Sequence, residues 1–77
     1  MMGITPKQMS LRVTVDNFIK KNGYSPSVAE LAEIQGTAKS NVVRMLNDLQ
    51  KRGHVKRVFG RPRSVTVVPV NTKEIQL

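Results

Sequence analysis

The sequence contains no cysteine and no tryptophan, and only one histidine, one tyrosine and two phenylalanines. The absence of cysteine excludes disulfides, thiolate metal ligands and a thiol nucleophile, and a single histidine cannot complete a zinc shell. We therefore expect no metal and no other cofactor. With so few aromatic residues, the core must consist mainly of Val, Leu, Ile and Met.

Long hydrophobic runs are also missing. The longest apolar segment is far shorter than the ~20 residues that cross a bilayer, and the N-terminus lacks the apolar block of a secretory signal. The sequence thus predicts a soluble, cytoplasmic protein with no membrane partner. A chain of 77 residues and 8.6 kDa has room for one small domain.

Positive charge is in large excess, and most of it lies in one part of the chain. Thirteen Lys and Arg residues face five Asp and Glu residues, which gives a net charge of +8. Residues 36–64 contain eight of the basic residues and one acidic residue, whereas residues 1–35 contain four and three. A merely solubilising surface would scatter its lysines. The clustering favours a polyanionic partner that binds this segment.

Local signals predict three helices followed by a hairpin. A capping box that begins at Thr5, with proline at the first helical position, predicts a helix over residues 6–22. A second capping box, at Ser27, predicts a shorter helix that ends near residue 35. A third helix is predicted over residues 38–52, and the tight turn before it is typical of a helix-turn-helix.

The C-terminal half predicts a small β-hairpin, or wing. Two β-prone segments, residues 55–59 and 64–68, lie on either side of a Gly-Arg-Pro-Arg turn. The fold class is therefore mainly α with a small β-hairpin, a winged helix-turn-helix of three helices plus a two-stranded wing. We expect the domain to span residues 1–68, and residues 69–77 to form a C-terminal tail.

This architecture predicts an interface with double-stranded DNA, because a helix fits the major groove and its exposed side can reach base edges. Arg44 can donate two parallel hydrogen bonds to guanine, Asn41 can bond adenine in the same way, and Val43 can pack on a thymine methyl group. Lys39 and Ser40 are expected to hold phosphates. The remaining predicted DNA contacts come from the exposed helix face and the wing: Asn47, Lys51, Arg57, Arg61 and Arg63.

The wing tip carries two of these arginines. Glycine permits the turn and proline stiffens it, so we expect Arg61 and Arg63 to project without a neighbouring carboxylate. They would then lie along the phosphate backbone or in a narrow minor groove. A plain surface turn, and for the third helix an ordinary solvated face, are the alternatives.

Catalytic constellations are not evident in the sequence. The carboxylates have no spacing that suggests a pair, and His54 is the one histidine that could serve any of the serines. Neither a P-loop nor a glycine-rich dinucleotide fingerprint occurs. We therefore expect no enzymatic activity.

Six segments that carry these signals also occur together in a known family. They are ITPKQ (residues 4–8), GYSPS (23–27), AELAE (29–33), KSNVVR (39–44), LQKRG (49–53) and GRPR (60–63). In this combination they resemble the N-terminal DNA-binding domain of the LexA repressors of the SOS response, over about residues 4–68. The resemblance implies sequence-specific binding of duplex DNA, with the family's reading positions at Lys39, Ser40, Asn41, Val43 and Arg44.

Three departures from the family pattern limit what the resemblance implies. Relatives usually have a Leu and then a Ser-type cap before the third helix, where this chain has Thr37 and Ala38, so we expect Thr37 to supply the cap. The reading residues also differ, so the operator sequence cannot be transferred. LexA proteins continue into a self-cleaving domain with a Ser and Lys pair, which nothing after Val68 resembles. The chain therefore looks like a phage- or mobile-element-encoded regulator, or an excised domain.

The sequence as a whole predicts a transcriptional regulator of prokaryotic or phage type, with repression as the expected mode. Tight binding by so small a domain requires a homodimer on DNA or a second protein. The alternative is a protein-interaction module that docks on polymerase or a host regulator through an edge formed by residues 65–70. RNA is a third option, although the sequence offers no aromatic platform for stacked bases. The operator, the effector and the oligomeric state stay open.

Overall fold

The computed structural model of the chain describes residues 5–69. Three helices occur in chain order: α1 over Pro6–Asn22, α2 over Val28–Gln35 and α3 over Lys39–Lys51. Two short antiparallel strands follow, β1 over Val55–Lys56 and β2 over Thr66–Val67. The predicted fold class is confirmed. The predicted tail lies outside the described residues apart from Pro69, and the domain boundary at residue 68 stays a prediction.

Helices α1 and α2 begin where the sequence places their caps. Thr5 and Ser27 each accept, through a side-chain oxygen, a hydrogen bond of 3.1 Å from the backbone N–H three residues along. The residues at those positions, Gln8 and Glu30, accept a bond from the cap N–H in return, which completes both capping boxes. Gly36 ends α2 with a φ of 68°, in the left-handed region that glycine adopts at little cost.

The start of α3 differs from the prediction. Ala38 is the N-cap residue, and no side chain in the described part of the chain caps this helix. The backbone N–H of Thr37 closes α2 by donating to the carbonyl oxygen of Ala32 at 3.0 Å. Thr37 therefore lies one position too early to cap α3, and its hydroxyl accepts a 2.8 Å hydrogen bond from Nδ2 of Asn41 instead. The expectation that Thr37 supplies the cap is wrong.

An apolar core lies between the three helices and the wing. Its side chains are all less than a tenth exposed and are aliphatic, as the composition predicts: Leu11, Val15, Leu31, Ala32, Val42, Leu46, Leu49, Val55 and Val65. Three of them come from one side of α3, at a helical spacing that keeps them on the same face. Because this face is buried in the core, the opposite side of α3 faces solvent.

The strands of the wing, residues 55–67, are shorter than predicted. Val55 pairs with Val67 and Lys56 with Thr66, so each strand has two residues where five were predicted. Beyond the strands, Oγ of Ser64 accepts a 2.9 Å hydrogen bond from the backbone N–H of Val58. Since a side chain satisfies this backbone group, the ladder between the strands ends early and the wing continues as a compact loop.

Two polar contacts join the returning half of the wing, and the residue that follows it, to the helices. Nη2 of Arg12, on α1, donates to the carbonyl oxygen of Val68 at 2.8 Å. Oγ of Ser25, just before α2, donates to the carbonyl oxygen of Val65 at 2.7 Å. These contacts fix the wing against the three-helix core. None of the helices in residues 5–69 has the length and hydropathy of a membrane span.

Candidate nucleic-acid interface

The solvent-facing side of α3 carries the contact residues predicted for this helix. Five of these side chains are exposed and two are half-buried: the exposed ones are Lys39, Ser40, Arg44, Asn47 and Lys51, and the half-buried ones are Asn41 and Val43. The buried side chains of α3 lie on the other side, facing the core. The helix therefore presents one continuous polar face to a partner.

Asn41 and Arg44 are joined to each other on this face. Nη2 of Arg44 donates a hydrogen bond to Oδ1 of Asn41, and Nδ2 of Asn41 donates to the hydroxyl of Thr37. One lone pair on the oxygen and one hydrogen on the nitrogen of Asn41 stay available for a further partner. The two predicted reading residues thus form one connected unit, with Thr37 at its base.

The acidic residue within the basic segment, Asp48, is occupied by other contacts. Its Oδ2 accepts a 2.6 Å hydrogen bond from Nε2 of Gln8 on α1 and lies 3.8 Å from Nε of Arg52. Gln8 is itself 8% exposed and takes part in the cap of α1. These contacts link α3 to α1 and offset the negative charge of Asp48.

The cations of α3 and the wing fall into two groups. Arg52, at the end of α3, and Arg63, in the wing, form ion pairs with carboxylates. Within residues 5–69, no carboxylate oxygen lies within 4 Å of the other group: Lys39, Arg44, Lys51, Lys56, Arg57 and Arg61. The charges of this second group are therefore available to an external anion.

Arg63 belongs to the paired group, and the expectation that it projects without a neighbouring carboxylate is wrong. Its Nη1 and Nη2 donate to Oε1 and Oε2 of Glu30 at 2.8 and 2.9 Å, a bidentate arrangement that matches the two planar groups. Nη1 also donates to the carbonyl oxygen of Ser25 at 3.2 Å, and the guanidinium carbon lies 5.1 Å from the ring centroid of Tyr24. Arg63 thus fastens the wing to the start of α2.

The pair alters the ionisation of both partners. The hydrogen bond from Arg63 is the main cause that holds the pKa of Glu30 below its ordinary value, and the bond from the backbone N–H of Ser27 adds to it. The same bond to Glu30 raises the pKa of Arg63. Arg63 has a backbone φ of 56°, a left-handed conformation that is unfavourable for residues other than glycine. The contacts of its side chain help to stabilise this conformation.

The wing lies beside α2 and α3 and leaves a groove of about 320 Å³ between them. Leu31 and Leu46 line the helix side of this groove, and Arg57, Arg61 and Arg63 line the wing side. Arg61 is exposed and Arg57 is half-buried. Two cations of the wing that have no carboxylate partner in the described part of the chain therefore border one groove, whereas the third arginine is held by Glu30.

The structure thus defines a winged helix-turn-helix whose third helix and wing expose cations that no carboxylate of the described residues pairs with. The family model described as the LexA DNA binding domain matches residues 1–64, and the chain belongs to this family. The resemblance inferred from the sequence is confirmed.

Curated relatives of the chain include LexA repressors. The protein of Thermotoga neapolitana is 37% identical over 67 residues, which cover 87% of this chain and 34% of the relative. That of Nocardioides sp. is 38% identical over 66 residues, covering 84% and 27%. That of Parafrankia sp. is 35% identical over 69 residues, covering 88% and 28%. The chain therefore spans about a third or less of the length of these relatives.

Proposed function

We propose that this domain is the sequence-specific DNA-binding part of a transcriptional repressor of prokaryotic or phage type. In this proposal α3 enters the major groove, and the wing lies on the phosphate backbone or in the adjacent minor groove. The supporting observation is the set of exposed cations on α3 and the wing that have no carboxylate partner within the described residues. Repression is proposed because the relatives bear the name of repressors.

Base readout is assigned to the first half of α3. Arg44 donates to a guanine edge, Asn41 bonds a neighbouring adenine, and Val43 contacts a thymine methyl group. The hydrogen bond between Arg44 and Asn41 supports this assignment, because a guanidinium that is already held loses less conformational freedom on binding. Lys39 and Ser40, at the start of the helix, are assigned to phosphates.

Backbone contacts are assigned to the second half of α3 and to the wing. Asn47 and Lys51 lie on the exposed side of the helix, and Arg57 and Arg61 border the groove beside the wing. Arg63 is proposed to act indirectly. Its charge is already matched by Glu30, so it positions the wing rather than binding a phosphate.

Two copies on a paired site are proposed for tight binding. A single module of this size buries about 600–1,000 Å² of its own surface on DNA, which supports only moderate affinity. Two domains on two half-sites about one helical turn apart double that area and give the site an approximate two-fold symmetry.

The proposal is tested by selecting duplexes that bind the purified chain from a random pool. We expect one motif to be enriched, and Arg44→Ala to cost about 1–3 kcal/mol on that motif and to relax base choice at one position. Lys21→Ala, which removes an exposed charge at the end of α1, is the control and should bind like wild type. Recovery of no motif, with no binding of any duplex, would overturn the proposal.

The protein-interaction alternative has less support from the contacts of the predicted edge. Within this segment, the carbonyl oxygens of Val65 and Val68 accept bonds from Ser25 and Arg12, and the N–H of Val68 donates to the carbonyl oxygen of His54. These bonds leave fewer backbone groups for an added strand. A protein partner that stays bound after nuclease treatment and in ~0.5 M salt would favour the alternative, because such salt screens contacts to phosphates.

A further inference from the structure

Phe59 stands out among the apolar side chains of the wing. It is 93% exposed, whereas the next most exposed large apolar side chains, Val58 and Ile34, are 56% and 54% exposed. Among residues 5–69, the ring contact is between Phe18 and Tyr24 and does not involve Phe59. When a partner buries a phenyl ring that is almost wholly in water, the free energy of the system falls.

The backbone presents this ring in a defined place. The N–H of Arg61 donates to the carbonyl oxygen of Val58 at 3.1 Å, which closes a four-residue turn with Phe59 and Gly60 at its corners. Gly60 has a φ of 80°, the positive value that a type II turn requires at its third position. Ser64 also accepts a bond from the N–H of Val58. Phe59 therefore projects from a hydrogen-bonded turn.

The charge around the ring indicates what would bury it. The sequence contains no acidic residue from position 49 to position 73, so the whole wing carries only positive charge. Arg57 and Arg61 lie two residues before and after Phe59 and have no carboxylate partner among the described residues. An apolar tip between two guanidinium groups suits a surface that offers apolar faces between two rows of anions. Duplex DNA is such a surface on its minor-groove side, because the stacked faces of the bases lie between two phosphate backbones.

We propose that Phe59 enters the minor groove beside the bases that α3 reads and partly unstacks one base step. Arg57 and Arg61 bind the phosphates on either side. Pyrimidine–purine steps open most easily, so Phe59 makes the wing prefer such a step at its position in the site. This inference rests on the proposed function, because it requires the wing to lie on DNA.

The proposal can be tested without damage to the fold, because the ring of Phe59 is almost wholly exposed. Phe59→Ala removes the ring, and Phe59→Leu keeps an apolar side chain of intermediate size. Ile34→Ala, on α2, removes another exposed apolar side chain and serves as the matched control. Thermal unfolding should give the same midpoint for Phe59→Ala as for wild type.

The assay uses a duplex enriched by the selection, with 2-aminopurine placed at successive positions under the wing. Wild type should raise the fluorescence at one step, as unstacking does. Phe59→Ala should lose this rise and bind about tenfold more weakly, since loss of an aromatic contact with bases has that order of effect. Phe59→Leu should retain part of both signals, Ile34→Ala should match wild type, and the salt dependence should be the same for all four proteins.

Two outcomes separate this inference from the proposed function. Phe59→Ala could match wild type in affinity and in 2-aminopurine fluorescence while Arg61→Ala weakens binding. In that case the domain binds DNA through its wing and the insertion of Phe59 is refuted. If wild type binds no duplex at any salt concentration, the proposed function fails and this inference fails with it.

Discussion

Arg61 and Arg63 lie two residues apart in the wing and carry the same charge, yet we expect them to differ in their effect on the salt dependence of DNA binding. Arg61 is exposed and has no carboxylate partner among residues 5–69, whereas both terminal nitrogens of Arg63 donate to Glu30. A cation releases counterions from DNA when its charge neutralises a phosphate. Arg61 can do this, but the charge of Arg63 is already neutralised within the protein.

The magnitude follows from the number of cations that are assigned to phosphates and have no carboxylate partner within residues 5–69: Lys39, Lys51, Arg57 and Arg61. At about −0.9 per phosphate, four contacts predict a log–log slope of about −3.6 for the affinity of one domain. Affinity then falls about 150-fold between about 50 and 200 mM salt for wild type. With three contacts the slope is about −2.7, and the fall is about 40-fold.

The assay is fluorescence anisotropy on a labelled duplex at five salt concentrations. Arg61→Gln should reduce the slope by about 0.9. The double variant Glu30→Gln/Arg63→Gln removes one charge of each sign and keeps a side chain that can complete the capping box, so its slope should equal that of wild type. Lys21→Gln removes the same charge as Arg61→Gln from α1 and should leave the slope unchanged.

Two results would refute this reasoning. If Lys21→Gln reduces the slope as much as Arg61→Gln does, the slope reports net charge rather than particular contacts. If the slope of the double variant is reduced by about 0.9, Arg63 binds a phosphate and its assignment as a positioning residue is wrong.

Three further predictions concern stability. Because the pKa of Glu30 is lowered by Arg63, the ion pair stabilises the fold above the ordinary carboxylate pKa, and this contribution is lost as pH falls through the lowered value. In urea unfolding at a series of pH values, Glu30→Gln should therefore lose less stability on acidification than wild type, and equal losses would contradict the assignment. Leu46→Ala, at a core position 1% exposed, should lower the free energy of unfolding by about 2–5 kcal/mol; a loss below about 1 kcal/mol would mean that this side chain is not buried. Ala38→Ser should give α3 the side-chain cap it lacks and raise stability by about 0.5–2 kcal/mol, and an unchanged melting temperature would argue against Ala38 as the N-cap.

The helices could be predicted from the sequence because their signals are local. The capping boxes at Thr5 and Ser27 join residues three apart, and Gly36 adopts a conformation that depends on its own lack of a side chain. Where two local signals competed, the prediction was wrong. Thr37 has the side chain of a cap, but its backbone closes α2, and Ala38 takes the N-cap position.

The exposure and the ion pairing of the predicted contact residues could be predicted from the sequence only in part. The exposure of Lys39, Arg44 and Lys51 follows from the helical period once the opposite side of α3 is assigned to the core. The partner of Arg63 did not follow, because Glu30 is 33 residues away and already had a complete local explanation as part of a capping box. The short strands were missed for a related reason, since Ser64 takes the place of a strand partner across the wing.

The sequence by itself determined the three helices, the hairpin that follows them and the concentration of positive charge between residues 36 and 64. The helices depend on interactions within about four residues and the charge on composition alone, whereas the hairpin was predicted from two β-prone segments and the turn between them. Only the tertiary structure decided which of the cations are free. That depends on whether a carboxylate from a distant element comes within hydrogen-bonding distance, and a distance of this kind is set by how α2 and the wing pack on the common core.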